Sequence, residues 1–402
     1  MLTRAGWGAL AAAVTAAVLG RVFGILELYV VAGGIAVAVV WAVITVLRPM
    51  PRLAVHRRVA PGSVMVGEAA RVDLVIANPG PRRTPVMRLW EPVGGAGAVM
   101  HLAPLSPGER TAAAYRLPTA RRGLVTAGPL RVRRADVLGI ASRSTVVPGI
   151  AELLVTPHHT PVSMGHHAAA GALGDLVRMK ALGQTGTEFH ALRPYVPGDD
   201  IRRISWKASA RSTDLIVKDT APEGLRRCTV VLDLDAAGYS GEAGTQAFER
   251  AVSAAASVLT GAVQAGLLTR VVAADVDLRG HDVAAAALRW LATVEPREHT
   301  TAVPALQTTE GLGLLVVVAP SVERPFVAEV RSNASPDDVV VVVATRHHTT
   351  STGGERHLVV DATDTPDTGD TGSTGAFTAS WAALVGDGGI AARLPDAYRT
   401  EP

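Results

Sequence analysis

Residues 186–219 are dense in charged and aromatic side chains. The segment holds six basic and five acidic residues, and its three aromatic residues are Phe189, Tyr195 and Trp206. A groove that binds nucleic acid carries an excess of positive charge. Neither this segment nor the whole chain, with a net charge of +3, has such an excess. The composition therefore predicts a network of internal ion pairs or a docking surface for another protein.

A helix is predicted over residues 201–211. The turn at Pro197-Gly198 precedes it, and Asp199 or Asp200 can accept hydrogen bonds from its free N–H groups. Apolar residues recur on one face of this helix at positions 201, 204 and 208.

A second face of the predicted helix is basic, with Arg203, Lys207 and Arg211 at i, i+4 and i+8. Stacked like charges repel each other, so a carboxylate or phosphate is expected opposite them. Glu188 or the neighbouring aspartates could supply it internally, and a partner protein could supply it externally. The alternative is a solvated helix whose surface ion pairs contribute little free energy.

The order of residues in this run resembles the signature of the bacterial "domain of unknown function 58" family. The matching residues are Glu188, Phe189, Arg193, Tyr195, Pro197, Gly198, Asp199, Arg202, Ile204, Trp206, Lys207, Ser209, Ala210 and Arg211. The predicted interaction site consists of Glu188, Phe189, Arg193, Tyr195, Pro197, Gly198, Asp199, Asp200, Arg202, Arg203, Trp206, Lys207 and Arg211.

This resemblance implies a membrane anchor and an α/β domain similar to the von Willebrand factor type A domain. It also implies a MoxR-type AAA+ ATPase as partner, in a chaperone-like system that acts on cell-envelope proteins. In this interpretation Arg203, Lys207 and Arg211 form a docking stripe, which Trp206 and Tyr195 anchor. Charged pairs at such a surface set register and association rate more than affinity.

An enzymatic alternative uses Glu188, Asp199 and Asp200 as acid–base or metal-binding carboxylates, since neighbouring carboxylates shift each other's pKa. The flanking arginines would lower those pKa values and favour ion pairing instead. The chain also lacks a phosphate-binding loop of the GxxxxGK[ST] type and a G-x-S-x-G nucleophile elbow. The sequence therefore predicts a protein that is not an enzyme.

A second candidate site follows the first strand of the predicted α/β domain, at Asp233 and Asp235. The von Willebrand type A resemblance implies an Asp-x-Ser-x-Ser motif there, whose oxygens hold Mg²⁺. Here Asp235 replaces the first serine and Ala237 replaces the second, while Ala319 stands where an aspartate is usual. The prediction is a degenerate site without a cofactor, and the alternative is a Mg²⁺-dependent ligand-binding domain.

The N-terminal region carries two apolar stretches, at residues 5–19 and 25–47. They predict a helical hairpin in the membrane, and the alternative is a signal peptide followed by one span. Four arginines follow the second stretch before the first acid, Glu68. By the positive-inside rule this flank is cytoplasmic, so a multi-pass protein of the cell (inner or plasma) membrane with cytoplasmic soluble domains is predicted. The basic flank at 48–58 could also contact anionic lipid headgroups.

The 402 residues divide into five predicted regions. Residues 1–50 form the transmembrane hairpin, 51–150 a β-sandwich, 151–226 a connector with the signature segment, 227–390 the α/β domain, and 391–402 a tail. Alternating apolar residues in 70–78 and regular turn signals indicate the sandwich. Continuous apolar strands that alternate with helices indicate a mostly parallel sheet covered on both faces. The fold class is thus α/β plus all-β.

Overall fold

The computed structural model describes residues 2–164, 189–196, 204–212, 214–220, 227–274, 276–280, 282–298, 313–335, 338–346, 358–362 and 375–386, together with residues 173, 174, 177 and 306. The chain divides into two compact units, Met1–Thr156 and Pro157–Pro402. Each unit has its own hydrophobic core.

Two long apolar helices open the first unit, α1 (Arg4–Phe23) and α2 (Leu26–Leu47). Both are long and apolar enough to cross a bilayer. Gly24 ends α1 in the left-handed region, at φ 71°. Glycine adopts this conformation at little cost because it has no side chain, and the turn leads the chain directly into α2. Thr3 caps α1, because its hydroxyl oxygen accepts a hydrogen bond from the Gly6 N–H at 3.1 Å.

Ten strands follow in the first unit and form two sheets. They are β1 (Ala54–Ala60), β2 (Ser63–Met65), β3 (Arg71–Ala77), β4 (Met87–Val93), β5 (Ala96–Leu102), β6 (Arg110–Arg116), β7 (Gly123–Ala127), β8 (Leu130–Ala135), β9 (Ser142–Val147) and β10 (Ala151–Thr156). One sheet has the order β1-β3-β6, and the other has the order β2-β10-β7-β4-β8-β9 with β5 paired to β4. In β3 the predicted alternation holds, because Val72, Leu74 and Ile76 are fully buried.

One boundary differs from the sequence interpretation. Residues 151–156 were expected to begin the connector, but they form β10 inside the sandwich. This strand pairs antiparallel with β7 and parallel with β2, and its Leu153 and Val155 are fully buried. The partners of β10 are distant in sequence, so its own residues indicate a strand without indicating which sheet it joins.

A charged cluster is buried in the sandwich. Glu91 on β4 is fully buried; it forms an ion pair with Arg57 and accepts a hydrogen bond from the Tyr115 hydroxyl at 2.9 Å. Burial, together with the hydrogen bond to Glu91, raises the pKa of Tyr115 well above its ordinary value.

The second unit begins with a small two-stranded sheet and continues as an α/β domain. The first part has β11 (Phe189–Pro194), the short helix α3 (Trp206–Ser209) and β12 (Ile216–Thr220). The domain that follows has β13 (Arg227–Leu232), α4 (Gly244–Gln264), β14 (Leu268–Ala273), β15 (Val276–Arg279), α5 (Val283–Thr293), β16 (Gly313–Ala319), α6 (Pro325–Ser332), β17 (Asp338–Ala344), β18 (Leu358–Asp361) and α7 (Gly375–Val385).

The six strands of the α/β domain lie in the order β15-β14-β13-β16-β17-β18. All neighbours are parallel except the edge pair β14 and β15. Helices cover both faces, since Val230 of β13 packs in one core with α4, α5 and α7, and its neighbour Val231 packs in the other with α6. The mixed α/β and β-rich architecture agrees with the predicted fold class.

The start of the predicted connector belongs to the core of this second unit. Val162 and Met164 are buried against α4 and α7. The indole N–H of Trp381 donates to the Ser163 carbonyl at 2.8 Å. Residues 157–164 are therefore part of the packed domain.

Candidate functional site

The described part of the signature segment is built on the β11–β12 pair. These strands run antiparallel, with Arg193 opposite Val217. Past the end of β11, the Tyr195 N–H donates to the Leu215 carbonyl at 2.8 Å. Ile204 forms an isolated bridge with Val217, and both side chains are buried. The segment is thus held by backbone pairing between residues that are 13 to 31 positions apart.

The helix predicted over residues 201–211 is wrong in its extent. Among the described residues 204–211, only the four residues of α3 are helical, and Ile204, which was expected on the apolar face of that helix, lies in the bridge to Val217. Arg211 lies beyond the end of α3, so Lys207 and Arg211 do not share one helix face. The bridged conformation is more stable than the helical one because it buries Ile204 and pairs backbone N–H and C=O groups, whereas a short isolated helix is only marginally stable.

Ser209 fixes α3 to the edge of β12. Its hydroxyl oxygen accepts a hydrogen bond from the Ile216 N–H at 2.8 Å. The Ser205 N–H donates to the Ile216 carbonyl at 2.8 Å. Ser209 of the signature and its neighbour Ser205 therefore hold the backbone of this segment in place.

Other residues of the signature face outward. The Trp206 side chain is 66% exposed, and Lys207 and Arg211 are also exposed. Tyr195 is half-buried. A large exposed aromatic side chain on a backbone held by hydrogen bonds is typical of the anchor of a protein interface.

Several predicted site residues lie outside the described residues, and of two others only the backbone is described. The first group is Glu188, Pro197, Gly198, Asp199, Asp200, Arg202 and Arg203, and the second is Phe189 and Arg193 on β11. The predicted stripe of Arg203, Lys207 and Arg211 is therefore described only at its last two positions.

The second candidate site lies at the carboxyl edge of the large sheet. If its six strands are numbered along the chain, their order is 3-2-1-4-5-6, so the order reverses between β13 and β16. Ligands of open α/β sheets bind at this switch point, at the carboxyl ends of the strands. Asp233 and Asp235 follow β13, and Arg324 follows β16 in the loop before α6.

Arg324 binds both carboxylates of this edge. Its Nε donates to Asp233 Oδ2 at 3.2 Å, and its Nη2 donates to Asp235 Oδ2 at 2.6 Å. The side chain of Asp233 is fully buried, while those of Asp235 and Arg324 are 18% and 21% exposed. Two N–H groups of one planar guanidinium thus bind two carboxylates, which is a geometry suited to arginine and not to lysine.

Backbone donors and a close approach complete this cluster. Asp233 Oδ1 accepts from the Asp235 N–H at 3.0 Å, and the Tyr239 hydroxyl donates to the Asp233 carbonyl at 3.1 Å. Gly238 lies against the loop after β16, where a Cβ would stand 2.7 Å from Pro320 Cγ and 3.1 Å from Arg324 Cζ. A glycine at this position therefore allows Arg324 to reach the two aspartates.

The charges of the cluster shift the pKa values of its members. Burial raises the pKa of the Asp233 carboxyl, and the hydrogen bond from Asp235 N–H and the charge of Arg324 oppose that rise. For Arg324, burial acts to lower the pKa, but the hydrogen bond to Asp235 and the charge of Asp233 outweigh it, so its pKa is raised. Arg324 is therefore a permanent cation at this edge.

The residues at this edge do not fit a Mg²⁺ ion. Mg²⁺ requires near-octahedral oxygen ligands, and here both carboxylates already accept hydrogen bonds from Arg324 while Ala237 offers no side-chain oxygen. Within the residues that the structure describes, no three or more His, Cys, Asp or Glu side chains lie together in a way that could hold a metal.

Analysis of the sequence overlooked Arg324. The signal that could have found it is its position four residues after Pro320, in the loop that follows the second strand of the switch point. The charged group that completes an edge site comes from such a loop, and here it is separated from Asp233 by 91 positions.

Comparison with known proteins identifies the family of this segment. Residues 191–365 match the family described as "Protein of unknown function DUF58". This region of the chain is similar to the DUF58 family. A curated relative is the uncharacterized protein YeaD of Bacillus subtilis (strain 168), 28% identical over 156 residues, which are 38% of this chain and 36% of YeaD. The chain thus spans little more than a third of the curated relative that it matches.

Solved structures resemble limited parts of this chain. The CARDB domain of the PF1109 protein from Pyrococcus furiosus, solved with di-metal ions, is 15% identical with a TM-score of 0.21, over 26% of this chain and 94% of that domain. A β-glucosidase from Listeria innocua, solved with gluconolactone, is 14% identical with a TM-score of 0.16, over 25% of this chain and 16% of the enzyme. TM-scores this low support no argument about fold or function.

The DUF58 match covers both candidate sites. It includes Tyr195, Trp206, Lys207 and Arg211 of the signature and the Asp233–Asp235–Arg324 cluster at the sheet edge, but it begins just after Glu188 and Phe189. The family relationship therefore confirms the resemblance that the signature predicted. A family of unknown function assigns no activity to either site.

Proposed function

We propose that this DUF58 protein is a membrane-anchored interaction protein without enzymatic activity, which works with a MoxR-type AAA+ ATPase in a chaperone-like system for cell-envelope proteins. The observation that carries the proposal is the outward-facing Trp206, next to Lys207 on a backbone that Ser209 holds to β12. Such an aromatic residue on a rigid support loses little conformational entropy when a partner covers it.

The α/β domain is proposed to be a von Willebrand type A-like module that works without a metal. Its open, mostly parallel sheet with helices on both faces supports this likeness, as does the pair of acids after the first strand. Arg324 supplies a fixed positive charge beside these acids. This charge favours a metal-independent module over the Mg²⁺-dependent alternative.

The two N-terminal helices are proposed to anchor the protein as a hairpin, with the soluble units in the cytoplasm. Arg48, Arg52, Arg57 and Arg58 follow α2, and such a basic flank favours the cytoplasmic side. Protease added to the outside of intact cells tests the orientation. Soluble units that survive until the membrane is opened agree with it, and units cleaved from outside would contradict it.

The partner is tested by crosslinking the full-length protein in its own membranes. W206A/K207E should recover much less of the AAA+ ATPase than wild type, because it removes the aromatic anchor and reverses its neighbouring charge. The matched control is L268A/R289E, which changes one exposed apolar and one exposed basic residue elsewhere in the same unit.

Each result of this experiment has a distinct meaning. Equal recovery by W206A/K207E and wild type, at equal abundance in the membrane, would exclude Trp206 and Lys207 from the interface. No ATPase recovered by any variant would contradict the partnership itself. If the control L268A/R289E also failed to recover the ATPase, binding would depend on the overall surface charge and not on Trp206 and Lys207.

A further inference from the structure

The β8–β9 turn presents two apolar side chains that the first unit does not cover. Val137 is 103% exposed and Leu138 is 66% exposed. The turn around them is ordered by Asp136, whose Oδ2 accepts from the Leu138 N–H at 2.8 Å and whose Oδ1 accepts from the Ala141 N–H at 2.5 Å. The tip is therefore a fixed feature, and its exposure to water carries a cost unless something covers it.

The base of this turn is joined to the beginning of α1. Leu2 forms a bridge with Ala141, and the Thr3 N–H donates to the Ile140 carbonyl at 2.9 Å. The Thr3 hydroxyl also donates to the Gly139 carbonyl at 2.6 Å. The turn is thus held by the residues that cap the first apolar helix.

The same turn packs on the last part of α2. Ile140 and Ala141 form one buried cluster with Val39, Ala42 and Val46. The first apolar helix begins, and the second ends, beside this turn. If the helices cross a bilayer, the turn lies at the level where they leave it.

Three arginines surround this place. Arg48 follows α2, Arg143 donates from Nη1 to the Leu47 carbonyl at 3.4 Å, and Arg134 lies close enough to Arg48 for the two charges to repel. Burial and this repulsion lower the pKa of Arg134. None of the three forms an ion pair with a carboxylate in the described part of the chain. A polyanionic surface would relieve the repulsion between Arg48 and Arg134.

We propose that the β8–β9 turn is a membrane wedge, in which Val137 and Leu138 insert into the bilayer surface while Arg48, Arg134 and Arg143 bind anionic lipid headgroups. The inference rests on the proposed anchoring by α1 and α2. Apolar side chains beside basic ones suit the boundary between headgroups and acyl chains. Each arginine near an anionic surface changes the ratio of inserted to withdrawn turn by roughly fivefold.

The wedge is tested with single-cysteine variants of the full-length protein in vesicles. The native Cys228 is fully buried, and burial raises its pKa to about 12, so wild type should remain unlabelled by a fluorescent maleimide. V137C and L138C place the fluorophore on the tip. I150C places it at 61% exposure beyond the other end of the β8–β9 hairpin, roughly 20 Å along the strands. V37C places it in the middle of α2.

Quenching by nitroxide-labelled lipid is the measurement. The proposal predicts strong quenching for V137C and L138C with a blue-shifted emission, and little quenching for I150C. A V137C signal equal to that of I150C, while V37C is strongly quenched, would overturn the wedge and leave the anchor intact. Absence of quenching at V37C would overturn the anchor, and with it the wedge. A label at 137 that is shielded but not quenched by lipid would identify a protein partner instead.

The headgroup contact is tested by comparing vesicles of phosphatidylcholine with vesicles that also contain phosphatidylglycerol. Quenching at V137C should increase with the anionic lipid, and R48Q/R134Q/R143Q should remove that increase. The control R116Q/R121Q/R131Q removes the same charge from other exposed positions of the unit and should retain the increase. Equal quenching in both lipids would overturn the headgroup contact.

Discussion

Arg324 lies with its Nε 3.2 Å from Oδ2 of the fully buried Asp233, at the point where the strand order of the large sheet reverses. The guanidinium also binds Asp235, so two acids and one cation share the carboxyl edge of the sheet. The cation of this DUF58 domain is thus part of its own chain. Its presence does not depend on a metal in solution.

Replacement of Arg324 by glutamine should destabilise the second unit by roughly 2–4 kcal/mol, because it leaves the buried Asp233 carboxylate without its cation. Urea unfolding followed by tryptophan fluorescence measures this loss. The control is Arg289→Gln on the exposed side of α5, which should change the free energy of unfolding by less than about 0.5 kcal/mol. If Arg324→Gln changed the free energy of unfolding as little as the control does, the ion pair would contribute nothing to stability.

The loss in the free energy of unfolding that Arg324→Gln causes, its stability deficit, should depend on pH in a defined direction. Burial already holds the pKa of Asp233 above its ordinary value, and loss of Arg324 raises this folded-state pKa further. Below the ordinary value of about 3.9 the carboxyl is protonated in both states, so the deficit is smallest there. It should grow as the pH rises toward the raised folded-state pKa and then level off. A deficit that shrinks over this window would contradict the assignment.

Titration with Mg²⁺ should give no saturable heat in calorimetry of the wild-type protein. Both carboxylates accept hydrogen bonds from Arg324, and Ala237 provides no ligand. The matched variant is D233N, which removes the buried carboxylate and should give the same heats as wild type. Saturable binding that is lost in D233N would revive the Mg²⁺-dependent alternative.

Gly313→Ala should destabilise the second unit by roughly 2–4 kcal/mol. Arg227 Nη2 and Asp338 Oδ1 form a buried ion pair of 2.7 Å beside Gly313, and a Cβ there would overlap Asp338 Oδ1 and approach Arg227 Nε to 2.5 Å. Thermal unfolding checks the effect. Gly375→Ala is the control, because no atom of the described residues outside its own helix and chain neighbours lies within 4 Å of its new Cβ. Equal melting temperatures for the two variants would mean that the pair moves aside freely.

The sandwich should lose stability in alkaline solution through Tyr115. The folded-state pKa of this hydroxyl is raised by burial and by its hydrogen bond to Glu91, so its contribution is fully present below the ordinary pKa of about 10. The contribution is lost as the pH rises from there through the folded-state pKa. Tyr115→Phe should be about 1 kcal/mol less stable at neutral pH, and the difference from wild type should shrink at alkaline pH. A difference that grows with pH would reverse the sign and exclude this explanation.

Local pattern in the sequence determined the elements of the two folded units. The continuous apolar strands β13, β16 and β17 and the helices α4 and α5 follow from their own residues, because a strand buried on both faces must be apolar throughout. The alternation in β3 likewise shows which side chains enter the sandwich core. The signature residues also indicated the resemblance to the DUF58 family.

Tertiary structure decided what depends on residues that are distant in sequence. In the described part of 201–211, Ile204 forms a bridge with Val217 and not a helical turn, since a partner strand gives a short segment more hydrogen bonds and burial than its own helix can. Strand β10 joins the sandwich through partners that its sequence does not reveal. Arg324 reaches Asp233 across 91 positions because the fold places both at one sheet edge. Periodicity reports on neighbours along the chain, whereas these contacts are set by the order in which the strands assemble.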